Sequence, residues 1–196
     1  EYTLNPGPDW TAPDMDKARA LVEESGTKGQ KVTVVTDDSA SSRGVGTYLQ
    51  TVLSDLGYDA SVQTISGDIQ FTYIQNTNNN VQISISQWYQ DYPAPSNFLN
   101  VLFGCDTFHP GSDSSINISG ICDKDMDARM KAAMALGVTD PEAANREWAK
   151  IDHDFMALAP AVPLFTPKDV DLISKRVGNY EFSSQYHWLI ANSWVQ

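Results

Sequence analysis

The chain has 196 residues, 41% apolar and 19% charged, which is the composition of a folded protein with one substantial core or two small ones. Its net charge of −12 argues against nucleic acid and anionic membranes as partners, because phosphate groups bind basic patches. The longest nearly apolar run, Phe155 to Phe165, contains prolines and is shorter than the roughly 20 residues that span a bilayer.

The first half of the chain predicts helices and strands in alternation. Apolar residues at helical spacing begin at Val45, and Gly57 stands just after that helix, where a left-handed residue is common. The stretches KVTVVT, ASVQTI and VQISIS have the β-branched or alternating residues of strands. In chain order we predict helix Asp14 to Ser25, strand Lys31 to Thr36, helix Val45 to Leu56, strand Ala60 to Ile65, helix Asp68 to Gln75 and strand Val81 to Ser86.

These short strand–helix–strand spacings predict an α/β fold with a largely parallel sheet flanked by helices. Ligands of open α/β sheets bind beyond the carboxyl ends of the strands. The run Thr36-Asp37-Asp38 and the stretch QWYQDYPAPSNFL, Gln87 to Leu99, both lie at such ends. Both are therefore candidates for a binding site.

The second half predicts helices followed by extended segments. A short helix runs from Pro95 to about Phe103, Asp123 or Asp125 caps the next helix, and TDPE opens a third. The segments PAVPLF, VDLIS and HWLIANSWVQ are predicted to be extended. Because no repeat or linker interrupts the chain, residues 1–196 are predicted to form a single α/β domain. The predicted buried residues of the two longer helices are Met126, Met130, Ala133 and Met134, then Ala144, Trp148, Ile151, Phe155 and Leu158.

The two cysteines, Cys105 and Cys122, flank a loop rich in Gly, Ser and Asp. Two free buried thiols are one interpretation, but a loop this polar and rich in turns buries thiols poorly. We therefore predict a disulfide, which implies an oxidising, extracytoplasmic compartment. Metal binding is poorly supported, because the only soft ligand nearby is His109 and no metal-ligand spacing occurs.

No motif predicts a catalytic site, a metal or a cofactor. The acid run Asp123, Asp125, Asp127 lacks the Gly and the closing Glu of a calcium loop, and helix capping is its favoured interpretation. The stretch SASSRGVG lacks the lysine of a phosphate loop and predicts a serine-capped helix start instead. The chain is therefore predicted not to be an enzyme.

The densest group of candidate site residues is QWYQDY, with Trp88, Tyr89, Asp91 and Tyr92. Aromatic walls exclude water, so a carboxylate among them can hold a cation, such as the ammonium of a peptide N-terminus, more strongly than at an open surface. The alternative is structural: Asp91 caps the next turn while Trp88 and Tyr92 lie in the core. The residues alone leave both interpretations open.

Four segments together resemble the C-terminal lobe of the family 5 extracellular solute-binding proteins, the oligopeptide- and dipeptide-binding proteins of ABC importers. The most specific is ISQWYQDYPAPSNFLNVLF, which resembles the family's W-x-x-D-Y-x-x-P-x-x-F-L signature. The common Asp-Pro of that signature is Ala94-Pro95 here. The other three segments are PDMDKARALVEESG with KVTVVT, YLQTVLSDLGYDASVQTI, and LAPAVPLFTPKDVDLISKRVGNY.

The resemblance implies a periplasmic-binding-protein-like lobe of the class II, or cluster C, type, and one lobe of a longer two-lobe protein. It implies that Asp91 grips the ligand's α-ammonium and that Trp88 and Tyr89, with Tyr92 nearby, line the same cleft. The Cys105–Cys122 loop resembles the disulfide loop of dipeptide-binding members. The implied partners are a short peptide, the permease subunits and the N-terminal lobe, in the periplasm or at the cell surface, with lipid anchoring left open.

Three alternatives stay open at this stage. The first keeps the family and changes the ligand to a sugar, a metal chelate or another solute. The second is a secreted hydrolase that uses Asp37, Asp38 or Asp91, and the third is a protein-interaction domain with a large exposed apolar patch.

Overall fold

The computed structural model describes residues 13–166, 168 and 170–196. The described residues form two compact units. The first, here called the sheet unit, consists of residues up to Gln87 together with Cys105–Cys122. The second, here called the helical unit, consists of Trp88–Gly104 and Asp123–Gln196.

The sheet unit contains every helix and strand that the sequence predicts for the first half of the chain, with changes at the ends. Its second helix, α2 (Ala40–Asp55), begins earlier than the predicted Val45, because Ser39 caps it. Short 3-10 helices cover Thr77–Asn79 and Cys105–Thr107. The elements are α1 Met15–Ser25, β1 Lys31–Asp37, α2 Ala40–Asp55, β2 Asp59–Ile65, α3 Gly67–Gln75 and β3 Ile83–Ser84.

The strands form a parallel sheet in the order β2-β1-β3, which confirms the predicted α/β fold. The central strand β1 buries Val34 and Val35 almost completely. Helix α2 packs against β1 so closely that a Cβ atom on Gly46 would lie 2.4 Å from the Thr36 side chain. Glycine at position 46 therefore permits this helix–sheet distance.

Capping contacts define both ends of α2, and only its predicted C-terminal end, just before Gly57, is confirmed. The Ser39 hydroxyl accepts a hydrogen bond from the Ser42 N–H at 3.2 Å, which satisfies one of the amides that a helix start leaves open. Gly57 follows the last turn with a φ of +99°, a conformation that glycine adopts without strain. The stretch SASSRGVG is thus a capped helix start.

The predicted strand Val81 to Ser86 was too long, since β3 covers only Ile83–Ser84. These two residues pair with Val34 and Val35 of β1. One step earlier, the backbone N–H of Thr33 donates to the side-chain oxygen of Gln82 at 3.0 Å. A side chain thus replaces the strand pairing there and shortens β3.

Cys105 and Cys122 form a disulfide, and both lie in the sheet unit. The loop between them is organised by the fully buried Asn117. Its amide nitrogen donates to the Ile121 carbonyl at 2.8 Å, and its oxygen accepts from Ser119 at 2.9 Å and Gly120 at 3.1 Å. The loop core is therefore polar and hydrogen-bonded.

The helical unit is built around an antiparallel helix pair. Asp123 and Asp140 cap its two helices through hydrogen bonds from Met126 and Ala143, and Pro141 occupies the first turn of the second, as predicted. The 3-10 helices Pro95–Asn97 and Ile190–Asn192 complete the unit. Its elements are α4 Leu99–Phe103, α5 Lys124–Leu136, α6 Pro141–Leu158, β4 Val177–Gly178, β5 Phe182–Ser183, β6 His187–Trp188 and β7 Trp194–Val195.

The predicted apolar faces of α5 and α6 are buried except at two positions. Met134 is 39% exposed and Leu158 is 51% exposed, so their prediction as buried residues was wrong. Helical spacing defines a face, but only the packed neighbours decide how much of that face is covered. The residues that are buried are Met126, Met130, Ala133, Ala144, Trp148, Ile151 and Phe155.

The prediction of an extended C-terminal segment was only partly right. The stretch HWLIANSWVQ contains two short strands, β6 and β7, separated by the 3-10 helix Ile190–Asn192. Strand β6 pairs with β5, and β7 pairs with β4, both antiparallel. Of PAVPLF and VDLIS, neither forms a strand.

Arg129 joins α5 and α6 through charge pairs. Its Nη1 lies 2.7 Å from Asp154 Oδ2, and its Nη2 lies 3.5 Å from Glu147 Oε1. The hydrogen bond from Arg129, followed by one from His153, holds the pKa of Asp154 below its usual value. A hydrogen bond from Lys150 likewise lowers the pKa of Glu147.

These lowered pKa values predict an acid-sensitive helix pair. A carboxylate whose folded pKa is depressed adds stability above its unfolded pKa and loses it as the pH falls through the folded value. We expect Asp154→Asn to reduce the fall in melting temperature between about pH 5 and pH 3. Asp152→Asn on the exposed side of α6 is the matched control. An equal fall in melting temperature with pH for the two variants would contradict this role of Asp154.

Candidate ligand-binding site

The four predicted site residues lie together at the start of the helical unit. Trp88 is half-buried, whereas Asp91 is exposed. Tyr89 is 58% exposed and Tyr92 is 42% exposed. The segment therefore exposes a carboxylate and the rings of Tyr89 and Tyr92 at the surface of this unit.

The buried side chain of Asn97 holds this segment. Its Oδ1 accepts hydrogen bonds from the backbone N–H of Asp91 at 2.9 Å and from the indole N–H of Trp88 at 3.3 Å. Its Nδ2 donates to Asp91 Oδ2 at 3.0 Å. Asn97 has no exposed surface, and its side-chain amide makes three hydrogen bonds to groups of Trp88 and Asp91.

The prolines act on the same turn. Pro95 is the first residue of the 3-10 helix Pro95–Asn97, where its fixed φ suits a helix start. The N–H of Asn97 donates to the Ala94 carbonyl at 3.0 Å, which places Asn97 at the end of that turn. The Tyr92 hydroxyl accepts from Ser96 at 3.3 Å. The turn after Asp91 thus brings the Asn97 side chain back to Asp91.

The β5–β6 hairpin contributes the second set of contacts. Gln185 donates to the backbone carbonyl of Asp91, and Gln90 donates to Ser184 at 3.3 Å. The ring of Tyr89 meets that of His187 edge-on, with centroids 5.9 Å apart. This hairpin therefore flanks the aromatic side of the site.

The contacts differ from those of the alternative in which Asp91 caps the next turn and Tyr92 lies in the core. The Asp91 carboxylate accepts from a side-chain amide, and the following 3-10 helix has no side-chain cap hydrogen bond. Tyr92 lies at the surface. An exposed carboxylate on the same short segment as aromatic side chains can bind a cationic group.

The other candidate acids, Asp37 and Asp38, form hydrogen bonds within the sheet unit. Hydrogen bonds from the hydroxyl of Ser39 and, after it, from the Ser39 backbone lower the pKa of Asp37. Asp38 accepts from the backbone N–H of Gly67 at 3.1 Å, which ties it to the start of α3. Within the described part of the chain, no three His, Cys, Asp or Glu side chains are grouped so that they could hold a metal.

Three residues of this site are missing from the sequence-based prediction. Asn97 lies six positions after Asp91 in a proline-containing turn, and that local pattern was a usable signal. Gln185 and His187 come from a hairpin about ninety residues further along the chain, so no local pattern connects them to Asp91.

The sequence profile described as "Bacterial extracellular solute-binding proteins, family 5 Middle" matches residues 1–109. The chain belongs to this family. The match includes QWYQDYPAPSNFL, the segment whose geometry forms the candidate site, and confirms the resemblance seen in the sequence.

One relative of this family 5 chain is a di/tripeptide-binding protein. The chain is 26% identical over 176 residues to Di/tripeptide-binding protein 4 of Pseudomonas aeruginosa (strain UCBPP-PA14). The aligned region covers 88% of this chain and 32% of that protein. The chain thus spans about a third of that relative's length.

Two solved structures have the same fold as this chain. The clavulanic acid biosynthesis oligopeptide binding protein 2 matches with a TM-score of 0.82 and 20% identity, over 96% of this chain and 34% of that one. The dipeptide binding protein from Pseudoalteromonas sp. SM9913, solved with Met-Leu, matches with a TM-score of 0.75 and 16% identity, over 98% and 38%. The predicted periplasmic-binding-protein-like lobe fold is therefore confirmed.

Proposed function

We propose that this family 5 chain belongs to the extracellular receptor of an ABC importer and captures short peptides, with Asp91 holding the ligand's α-ammonium. The observation that carries the proposal is the exposed Asp91 carboxylate, fixed by the buried Asn97, which also binds the indole of Trp88. The peptide cargo of the curated relative and of the Met-Leu complex supports this ligand class.

In this proposal the chain is the C-terminal lobe of a two-lobe protein. A ligand between two lobes contacts both of them and so favours the closed state. Permease subunits then receive the loaded protein in the periplasm or at the cell surface. The Cys105–Cys122 disulfide supports an oxidising compartment of this kind. As a separate finding, in the described residues no helix has the length and apolar character needed to cross a bilayer. The role is binding, with no catalysis and no cofactor.

The test compares free and N-acetylated dipeptides and tripeptides on the full-length protein that contains this chain. A peptide at 100 times its dissociation constant stabilises the folded state by about 2.7 kcal/mol, which a thermal shift resolves. We expect free peptides to bind and acetylated peptides to bind much more weakly. Asp91→Asn should weaken the free peptides roughly ten- to hundredfold, because a charge-assisted hydrogen bond is lost.

Asp152→Ala on α6, an exposed acid of the same unit, is the matched control and should bind as wild type does. Equal binding of free and acetylated peptides would contradict the ammonium contact of Asp91. If no peptide shifts the melting temperature, the peptide cargo is wrong, and sugars and metal chelates, the alternative within the family, become the ligands to measure.

A further inference from the structure

Asn97 is unusual among the residues around the candidate site because it is polar and yet has no exposed surface. Burial of an amide is costly unless its donors and acceptors are used. Here the oxygen accepts two hydrogen bonds and the nitrogen donates one, all of them to Trp88 or Asp91. The buried amide is thus directed entirely at two of the proposed ligand-binding residues.

We propose that Asn97 is the positioning residue of the ammonium site: it fixes the Asp91 carboxylate in the orientation that receives the ligand. This inference rests on the proposed function and adds a residue that acts only through Asp91. An exposed Asp side chain samples several rotamers, and fixing it when a ligand binds costs free energy. The bond from Asn97 Nδ2 to Asp91 Oδ2 fixes the side chain before binding.

The chemistry of an amide suits this role better than that of a charged group. A Lys or Arg at position 97 would also hold the carboxylate, but its positive charge would compete with the ammonium of the ligand. The neutral amide orients Asp91 and leaves its negative charge for the incoming cation. The same side chain accepts from the Asp91 backbone, so the carboxylate and the main chain from which it projects are fixed together.

The backbone of Asn97 is itself held in place. It ends the 3-10 helix that Pro95 begins, and its N–H donates to the Ala94 carbonyl. The neighbouring Leu99 is buried at 6% exposure and anchors the start of α4. Asn97 therefore projects from a rigid turn, as a positioning residue requires.

The first test is a double-mutant cycle on the full-length protein with Asn97→Ala and Asp91→Asn. The readout is the ratio of the affinities for a free dipeptide and its N-acetylated form, because this ratio cancels losses that affect both ligands equally. We expect Asn97→Ala to lower the ratio about tenfold in the wild-type background. In the Asp91→Asn background it should not lower the ratio further.

An Asn97→Ala variant that weakens both ligands equally, or that lowers the ratio by the same factor in both backgrounds, would overturn the proposal. The failure of the proposed function gives a different result. If wild-type protein itself fails to discriminate between the free and acetylated peptides, the ammonium site is wrong, whatever the variants do.

The second test uses ligand-free wild-type protein and so does not depend on whether the variants fold. Asn97 predicts slow hydrogen exchange at two groups of an otherwise exposed segment, the Asp91 amide and the Trp88 indole N–H. If both N–H groups exchange as fast as unprotected groups of their kind, the inference is overturned. Slow exchange of both groups in wild-type protein is the expected result. A folded Asn97→Ala variant, recognised by its protected Val34 and Ile151 amides, should lose this protection.

Discussion

Replacing Phe155 by alanine should lower the free energy of unfolding by about 3–5 kcal/mol, the largest effect that we expect from one substitution. Phe155 has no exposed surface, and its ring lies 5.4 Å from that of Phe103, centroid to centroid. It closes the buried face of α6 beside Ile151, so removal of the ring leaves a cavity that these helices cannot fill by small shifts.

Urea unfolding of the full-length protein measures this loss, provided that the transition of the helical unit is resolved. Val138→Ala is the control, because Val138 lies in the turn after α5 and is 85% exposed; its change should stay within about 0.5 kcal/mol. A loss of less than about 1 kcal/mol for Phe155→Ala would mean that the buried face of α6 around Phe155 is not packed as described.

Replacing both Cys105 and Cys122 by serine should cost about 3 kcal/mol of stability. The disulfide joins residues that are 17 apart, and a loop of this length has considerable conformational freedom in the unfolded chain once the bond is absent. The hydrogen bonds around Asn117 lie inside the loop and do not depend on the sulfur atoms, so we expect a destabilised loop that is still folded.

Thermal unfolding with and without reductant tests this second prediction. Reductant should lower the melting temperature of the wild-type protein and have no effect on the double serine variant, which is the control. A thiol assay on unreduced, denatured wild-type protein should find neither cysteine free. Two free thiols, or a melting temperature that reductant leaves unchanged, would contradict the bond.

The sequence predicted those parts of the fold whose causes are local. The spacing of apolar residues predicted α2 and α6. Ser39, Asp123 and Asp140 cap α2, α5 and α6 in that order, as short-range capping rules require. The parallel sheet followed from strands separated by short helices, because such connections leave few other topologies. The family signature in turn predicted a candidate site at Trp88 to Tyr92.

The tertiary structure decided what depends on distant neighbours. It shortened β3, because the side chain of Gln82 bonds to Thr33 in place of a backbone pair. It left Met134 and Leu158 exposed, although their spacing matches that of buried residues. In each case the neighbouring sequence gives no signal, because the outcome depends on contacts with residues that are distant along the chain.

The candidate site shows the same division. The sequence by itself determined that an acid and three aromatic residues stand together before a proline-rich turn, because this is a matter of adjacent residues. Only the fold decided that the amide of Asn97 is buried against Asp91 and that Gln185 and His187 reach the same segment. Hydrogen bonds depend on distance and angle in three dimensions, and residues about ninety positions apart acquire these only when the chain has folded.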